Sequence, residues 1–412
     1  MEKKRMKRVK WTGLVLALLM VSSMLFPGMR GRAEEDLQEH FSYYSSLKAL
    51  LVGDPNTGKV LLEKDGETPA GIASMTKLMT YYLVKKDIRE GKYSLSTEAT
   101  ISPTAAAFNT AGSSNYGLKA GEKISLENLL KGMMVVSGND AAIALAEHAG
   151  GGSEAGFVQR MNREAKNLGM AHTQFINANG FTVQGKYNVS TAKDMFLLAS
   201  AIVREFPEVE EYSKLQILDE PERNFKKPST ISESVPGIKG LKGLKTGFTQ
   251  EAGYCFTGYY SIQSSTKGES FPVISVMMGA PTKEARKRTT MEIVDFVSGS
   301  FAPHLIVDEE KPISRYSLPN GEPDSVVLYP KESYRTISYA DQQFSVNYEL
   351  QKGIQAPVKE GQVMGTIHIS QDGKELKKID IVSHQAVEAS GLFTRLWRAT
   401  QNLFTFLFGL AF

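Results

Sequence analysis

Ser74 and Lys77 stand three residues apart in Ile72-Ala73-Ser74-Met75-Thr76-Lys77-Leu78-Met79. At the start of a helix this spacing puts both side chains on one face, so the lysine nitrogen comes within hydrogen-bond reach of the serine oxygen. Such a pair can serve as a nucleophile and its base. A serine hydroxyl is a poor nucleophile at neutral pH, and a neighbouring lysine activates it when burial and nearby cations hold the amine partly deprotonated. The alternative for the pair alone is an N-capping serine followed by a solvated lysine. Two later stretches weigh against that alternative. Ser137-Gly138-Asn139 follows the apolar run Gly132 to Val136, and Lys245-Thr246-Gly247 lies inside Gly243-Leu244-Lys245-Thr246-Gly247-Phe248-Thr249.

The elements that must position these residues follow from the periodicity. Ala49 to Gly53 and Lys59 to Leu62 flank the turn-rich Asp54-Pro55-Asn56-Thr57-Gly58, which predicts two antiparallel strands leading into the Ser74 helix. Helices are expected from Ser125 to Val135, from Asp140 to Ala149, from an N-capping Ser153 to about Leu168, and from an N-capping Ser190 to about Val203. After residue 240, short apolar runs at Gly253–Tyr260 and Phe271–Gly279 predict a hairpin, with Lys245-Thr246-Gly247 on or beside the strand before it. Pro281 to Phe296 returns to helical spacing. Strands at both ends of this region with helices between them imply an α+β fold, one antiparallel sheet packed between helices, which brings residues 74, 137 and 245 into one cleft. From about Leu305 to Ser383 short β-rich segments alternate with Pro/Gly/Asp turns, as in a small all-β domain. Tyr334 and Tyr339 are expected to pack in its sheet.

The two ends of the 412 residues read differently from the middle. Lys3, Lys4, Arg5, Lys7, Arg8 and Lys10 precede an uncharged apolar stretch, Gly13 to Phe26, and then the small residues of Gly31-Arg32-Ala33. This pattern predicts a signal peptide over 1–33, with an uncleaved membrane anchor as the alternative. Residues 1–33 hold eight of the 48 Lys+Arg and one of the 45 Asp+Glu, so the remainder carries 40 against 44 and a formal net charge of −4. The basic character belongs to the leader, and no basic stripe interleaved with aromatics remains to suggest a nucleic-acid partner. At the other end, Leu392, Phe393, Leu396, Trp397, Leu403, Phe404, Leu407 and Leu410 fall near helical spacing, with Arg395, Arg398, Gln401 and Asn402 largely opposite. An amphipathic helix within 385–412, lying in a membrane interface, fits best; a helix docked on protein is the alternative. The expected division is therefore 1–33 signal, 34–302 catalytic domain, 303–384 β-rich domain and 385–412 membrane-anchor helix. Cys255, the single cysteine, reads as a small apolar strand residue. His148, His172, His304, His368 and His384 lack metal-ligand spacing and read as surface or structural residues; neither a metal nor an organic cofactor is expected, since the chain itself supplies nucleophile, base and oxyanion donors.

The order S-x-x-K, S-x-N, K-T-G is shared by active-site serine penicillin-interacting enzymes. Through ASMTKLMT, SGNDAAIALAEHAGG, NANGFTVQGKYNVSTAKDM and GLKTGFTQEAGYCFTG the chain resembles the serine D-Ala-D-Ala carboxypeptidases, the low-molecular-mass penicillin-binding proteins of peptidase family S11 that carry a C-terminal membrane anchor. The resemblance implies the penicillin-binding/β-lactamase-like transpeptidase fold for the larger domain. It also implies a substrate, the peptidoglycan stem peptide ending in D-Ala-D-Ala, β-lactams as covalent inhibitors, and a place on the extracytoplasmic face of the bacterial cell membrane. Residue by residue, it implies Ser74 as nucleophile, Lys77 as base and Ser137 as proton relay. Asn139 would hold Lys77 and the substrate amide, and Lys245 would aid the relay and favour neutral Lys77. The N–H groups of Ser74 and Phe248, the latter following Gly247, would form the oxyanion hole. Thr246 and Arg286 would take the terminal carboxylate, with Arg288 as the alternative to Arg286. Transfer of the acyl group to an amine instead of water would make this a cross-linking enzyme. A β-lactamase would need a water-activating glutamate, for which Asn177 to Tyr187 offers no counterpart, and a non-catalytic wall-binding protein is the reading from another class.

Overall fold

The computed structural model describes residues 37–110 and 112–408; the leader expected over 1–33 lies outside them. The chain divides into two compact units, one within Met1–Gln263 and Pro272–Gly299, the other within Ser264–Phe271 and Ser300–Phe412.

In the first unit a five-stranded antiparallel sheet runs in the order Val60–Lys64, Ala49–Gly53, Ser270–Ala280, Gly253–Gln263, Leu241–Thr249. Sequence-distant strands are thus neighbours: Leu51 pairs with Val276, and Cys255 with Gly247. All five residues of Ala49–Gly53 are buried, as is every residue from Val273 to Ala280. Successive strand residues point to opposite faces, so burial without alternation means both faces are covered. One cover is the helix Ala192–Glu205: a Cβ on Gly53 would stand 2.8 Å from the Phe196 ring. The expected α+β layering is what forms.

Helix starts follow local capping chemistry. Ser125, Ser153 and Thr191 accept the N–H of Asn128, Gly156 and Asp194 and so begin Leu126–Val135, Glu154–Asn167 and Ala192–Glu205. The last differs from expectation: Ser190 pairs with Ala70 in a two-residue ladder, and the cap passes to Thr191. In Leu126–Val135, the side chains of Leu126, Leu129, Leu130, Met133 and Met134 are all buried, each worth roughly 1.5–3 kcal/mol. They fix the end of the helix that delivers Ser137. The following helix, Asn139–Ala149, carries Asp140, fully buried, in its first turn. Its carboxylate accepts the N–H groups of Tyr116 at 2.8 and 3.0 Å and of Leu118 at 3.0 Å, fastening the loop around residues 113–118 beside the helix.

The second unit holds another five-stranded antiparallel sheet, ordered Ser314–Ser317, Ser325–Pro330, Lys374–Ser383, Val363–Gln371, Ser345–Leu350, and the pair Phe301–Val307 with Tyr334–Tyr339. Val326, Leu328, Ile367, Ile369, Ile379 and Ile381 form its core. Tyr339 stacks on Phe301 at 4.6 Å. The helix Leu392–Phe408 follows. Ser390 bonds the Asn320 carbonyl and Arg398 the carbonyls of Pro319 and Gly321, while Leu392, Phe393, Leu396, Trp397, Leu403 and Phe406 are exposed. No helix among the described residues is long and apolar enough to cross a membrane.

Asp140→Ala strands the buried N–H groups of Tyr116 and Leu118. We expect it to lower the stability of the first unit by about 3 kcal/mol, read as a reduced urea midpoint; an unchanged midpoint would mean that the loop holds itself.

Candidate active site

Ser74 sits in the 3-10 turn Ala73–Thr76, and Lys77 opens the helix Lys77–Arg89. The solvated-lysine alternative does not hold, because Lys77 is 0% exposed and neither Ser74 nor Thr76 caps the helix through its side chain. Its Nζ lies 2.9 Å from Ser74 Oγ, 2.7 Å from Asn139 Oδ1 and 2.6 Å from the Asn179 carbonyl. Asn139 Nδ2 in turn donates to Ser113 Oγ at 2.9 Å, so both ends of the amide are partnered with its oxygen towards the lysine.

The strand Leu241–Thr249 closes the site on another side. Gly247 lies so near the nucleophile's turn that a Cβ would stand 2.9 Å from the Ile72 carbonyl and 3.2 Å from the Ser74 nitrogen. Gly180, at φ +82°, lies closer still: a Cβ there would fall 1.9 Å from the Ala73 carbonyl. Ala73 and Ser137 themselves adopt φ of 45° and 61°. Non-glycine residues avoid this region, and where they occupy it the surroundings must compel it, a condition concentrated at functional sites.

These elements enclose a cleft of about 640 Å³ lined by Ser74, Ser137, Asn139, Thr246, Phe248 and Arg286 among others. Lys77 and Lys245 are buried beneath it. Arg286, 3% exposed, has its guanidinium 5.4 Å from the Tyr254 ring, and its Nε has no partner among the described residues. Arg288 instead bonds Glu292 at 2.8 Å. Of the two arginines, Arg286 is the one in the cleft. Phe248 stacks on Tyr254 at 4.2 Å.

The electrostatics follow from burying cations. Lys77 is driven well below the ordinary lysine value, first by desolvation and then by the charge of Lys245, with Asp140 opposing. Desolvation, helped by Arg286, brings Lys245 down to about 7. Cys255, fully buried, has its thiol pushed up to about 11 by desolvation, the state of an inert apolar side chain. Among the described residues no group of histidines, cysteines and carboxylates could hold a metal ion.

Residues 38–282 match the family model described as D-alanyl-D-alanine carboxypeptidase, peptidase S11, and residues 301–389 match the penicillin-binding protein 5 C-terminal domain. The chain belongs to the peptidase S11 family. It is a D-alanyl-D-alanine carboxypeptidase. The D-alanyl-D-alanine carboxypeptidase DacC of Escherichia coli is 32% identical to it over 381 residues, 88% of this chain and 89% of that one. A peptidoglycan synthesis regulatory factor, PBP3 of Streptococcus pneumoniae, superposes with a TM-score of 0.70 at 28% identity, covering 83% of this chain and 99% of that one. Penicillin-binding protein D2 of Listeria monocytogenes, solved in an ampicillin-bound form, is 34% identical with a TM-score of 0.52, covering 61% of this chain and 96% of that one.

Two groups at this S11 site were not expected from the sequence. The Asn179 carbonyl is a backbone atom with no side-chain signature, although it lies inside Asn177-Ala178-Asn179-Gly180. Ser113 stands in a polar loop without periodicity, and only folding brings it to Asn139.

The buried lysines carry a pH signature. A lysine with a folded value below its unfolded one binds fewer protons folded than unfolded between the two, so stability rises with pH across that window. For Lys245 the window runs from about 7 to 10.5: the penalty is full below it and gone above it. Lys245→Met should therefore be more stable than the native protein at pH 6 by roughly 3–5 kcal/mol, the advantage shrinking towards pH 10 in urea unfolding. A difference constant with pH would remove Lys245 as its source.

Proposed function

We propose that this carboxypeptidase works through a Ser74 acyl-enzyme, removing the terminal D-alanine from peptidoglycan stem peptides and thereby limiting cross-linking. The observation that carries the reading is the surroundings of Lys77. A neutral amine has two hydrogens and one lone pair. Asn139 Oδ1 and the Asn179 carbonyl are acceptors, so they take the hydrogens, and the lone pair is left for the Ser74 hydroxyl. Burial and Lys245 favour that neutral form.

In the proposed sequence Ser74 Oγ bonds to the carbonyl carbon between the two D-alanines as its proton passes to Lys77. The N–H groups of Ser74 and Phe248 take the oxyanion, a contribution typically worth about 10²–10³ in rate. Ser137, aided by Lys245, relays the proton from Lys77 to the departing D-alanine nitrogen as the C–N bond breaks. Thr246 and Arg286 hold the terminal carboxylate, a planar guanidinium suiting a planar acceptor. Water then cleaves the ester. A β-lactam, which resembles the acyl-D-Ala-D-Ala terminus, acylates the same Ser74; the ampicillin-bound form of the Listeria relative supports this.

The exported setting rests on the basic and apolar leader within 1–33 and on the exposed apolar residues of Leu392–Phe408, with Arg398 turned the other way onto Pro319 and Gly321. That arrangement suits a helix lying in the interface of the extracytoplasmic membrane face.

Mass spectrometry of a stem peptide ending in D-Ala-D-Ala should show loss of one alanine, abolished by penicillin and by Ser74→Ala. Retained release in Ser74→Ala would refute the mechanism, while peptide dimers would point to cross-linking and rapid penicillin turnover without a lasting adduct to a β-lactamase. Removing residues 391–412, which spares the buried Val387 and the Ser390 contact, should free the protein from membrane fractions with D-alanine release intact. Persisting attachment would assign the anchor to the N-terminus.

A further inference from the structure

Of the three oxygens around the Lys77 amine, the Asn179 carbonyl belongs to the backbone, and the segment carrying it is fastened on several sides. Ala178 donates its N–H to Glu154 at 2.8 Å, and its carbonyl accepts from Thr80 Oγ1 at 2.7 Å. Asn188, 1% exposed, completes the hold. Its Oδ1 accepts the N–H of Ile176 at 2.7 Å and of Asn177 at 3.3 Å. Its Nδ2 donates to Thr76 Oγ1 at 2.8 Å and to the Asn177 carbonyl and Oδ1, both at 3.1 Å. Its own carbonyl accepts the Ile72 N–H at 3.3 Å. One side chain therefore joins the nucleophile's turn to the loop that supplies the lysine's acceptor, without lining the cleft.

We propose that Asn188 is a positioning residue: by tying Asn177 to Thr76 it holds the Asn179 carbonyl against Lys77, so that the amine presents its lone pair to Ser74. The inference rests on the reading of Lys77 as the base. Without that carbonyl one amine hydrogen has no fixed acceptor, and the lone pair turns away from Ser74 for part of the time. The same carbonyl favours the ammonium form, so its withdrawal makes Lys77 easier to deprotonate. A site losing this residue is richer in free base and yet slower, a combination that simple destabilisation does not produce. The other charged groups acting on Lys77 are Lys245 from Leu241–Thr249 and Asp140 from Asn139–Ala149, with Arg286 of Lys283–Ser300 acting on Lys245. None of them bonds Asn188.

The test uses the full chain, with penicillin acylation rates and D-alanine release followed against pH. Asn188→Ala should lower the plateau acylation rate about 10- to 100-fold, leave KM for the peptide within about threefold, and move the acidic limb of the profile to lower pH. Thr76→Val, which removes the Nδ2 acceptor without opening a cavity, should do the same to a smaller extent and keeps the test available if Asn188→Ala does not fold. A plateau within about twofold of native, a fall matching only the loss of folded protein, or a limb that stays or moves to higher pH overturns the proposal. Lys77→Ala separates the two readings. If it is acylated at the native rate the base assignment fails and this inference with it; if it is inert while both other variants behave normally, only the inference fails.

Discussion

Two cations buried within electrostatic reach of one another are the constraint on which the rest of the structure depends. Lys77 and Lys245 are both 0% exposed, and among the described residues neither makes a salt bridge. A charged lysine in such a place is costly, and the lower-cost state is the neutral amine. That cost is the source of the chemistry, since only the neutral amine can take a proton from Ser74. Stability lost at the site must be regained elsewhere, and the closely packed helices Leu126–Val135, Asn139–Ala149 and Ala192–Glu205 supply apolar burial around it.

Bringing the second cation close enough required removing side chains between strand and turn. Gly247 and Gly180 sit where any Cβ would meet the backbone of Ile72 or Ala73. Cys255, paired with Gly247 on the neighbouring strand, fills the space beneath with a small, inert thiol. Sheet pairing does the rest: it places Lys245 beside Thr257 in the ladder, with two strands between its own and Ala49–Gly53, so the site draws on segments more than 150 residues apart.

What could be read in the sequence was what covalent spacing carries. Ser74 and Lys77 share a turn, and Ser137 and Asn139 share another. The motif order and the alternation of strands and helices were sufficient for the α+β layering and for the two sheets. The cap of Ala192–Glu205 moved from Ser190 to Thr191 because Ser190 was taken up by pairing with Ala70, a contact between residues 120 apart in the chain. The hairpin Ile217–Pro228 gave little local signal, its strands being short and charged. It is held from a distance, by Tyr116 on Glu220 and by Lys227 on Asn115, and so it supports the same loop that presents Ser113 to Asn139. Partners that meet only in the folded chain leave no periodicity to read.

The choice of acceptors around Lys77 follows the same logic. An amide side chain can rotate by 180° and exchange its oxygen for an NH2, which would then compete with Ser74 for the lone pair. In the Asn139 orientation that leaves the lone pair free, Nδ2 donates to Ser113 Oγ and Oδ1 accepts from Lys77. A peptide carbonyl cannot exchange in this way, but its direction depends on the backbone that bears it, and the Asn177–Gly180 turn is irregular. Bonds from Ala178 to Glu154 and Thr80, and within the turn from Gly180 to Asn177, therefore serve one end, the aim of a single oxygen. The base owes its basicity to burial and a neighbouring cation, and its direction to these two restrained acceptors. The two properties come from different parts of the fold, so substitution can separate them.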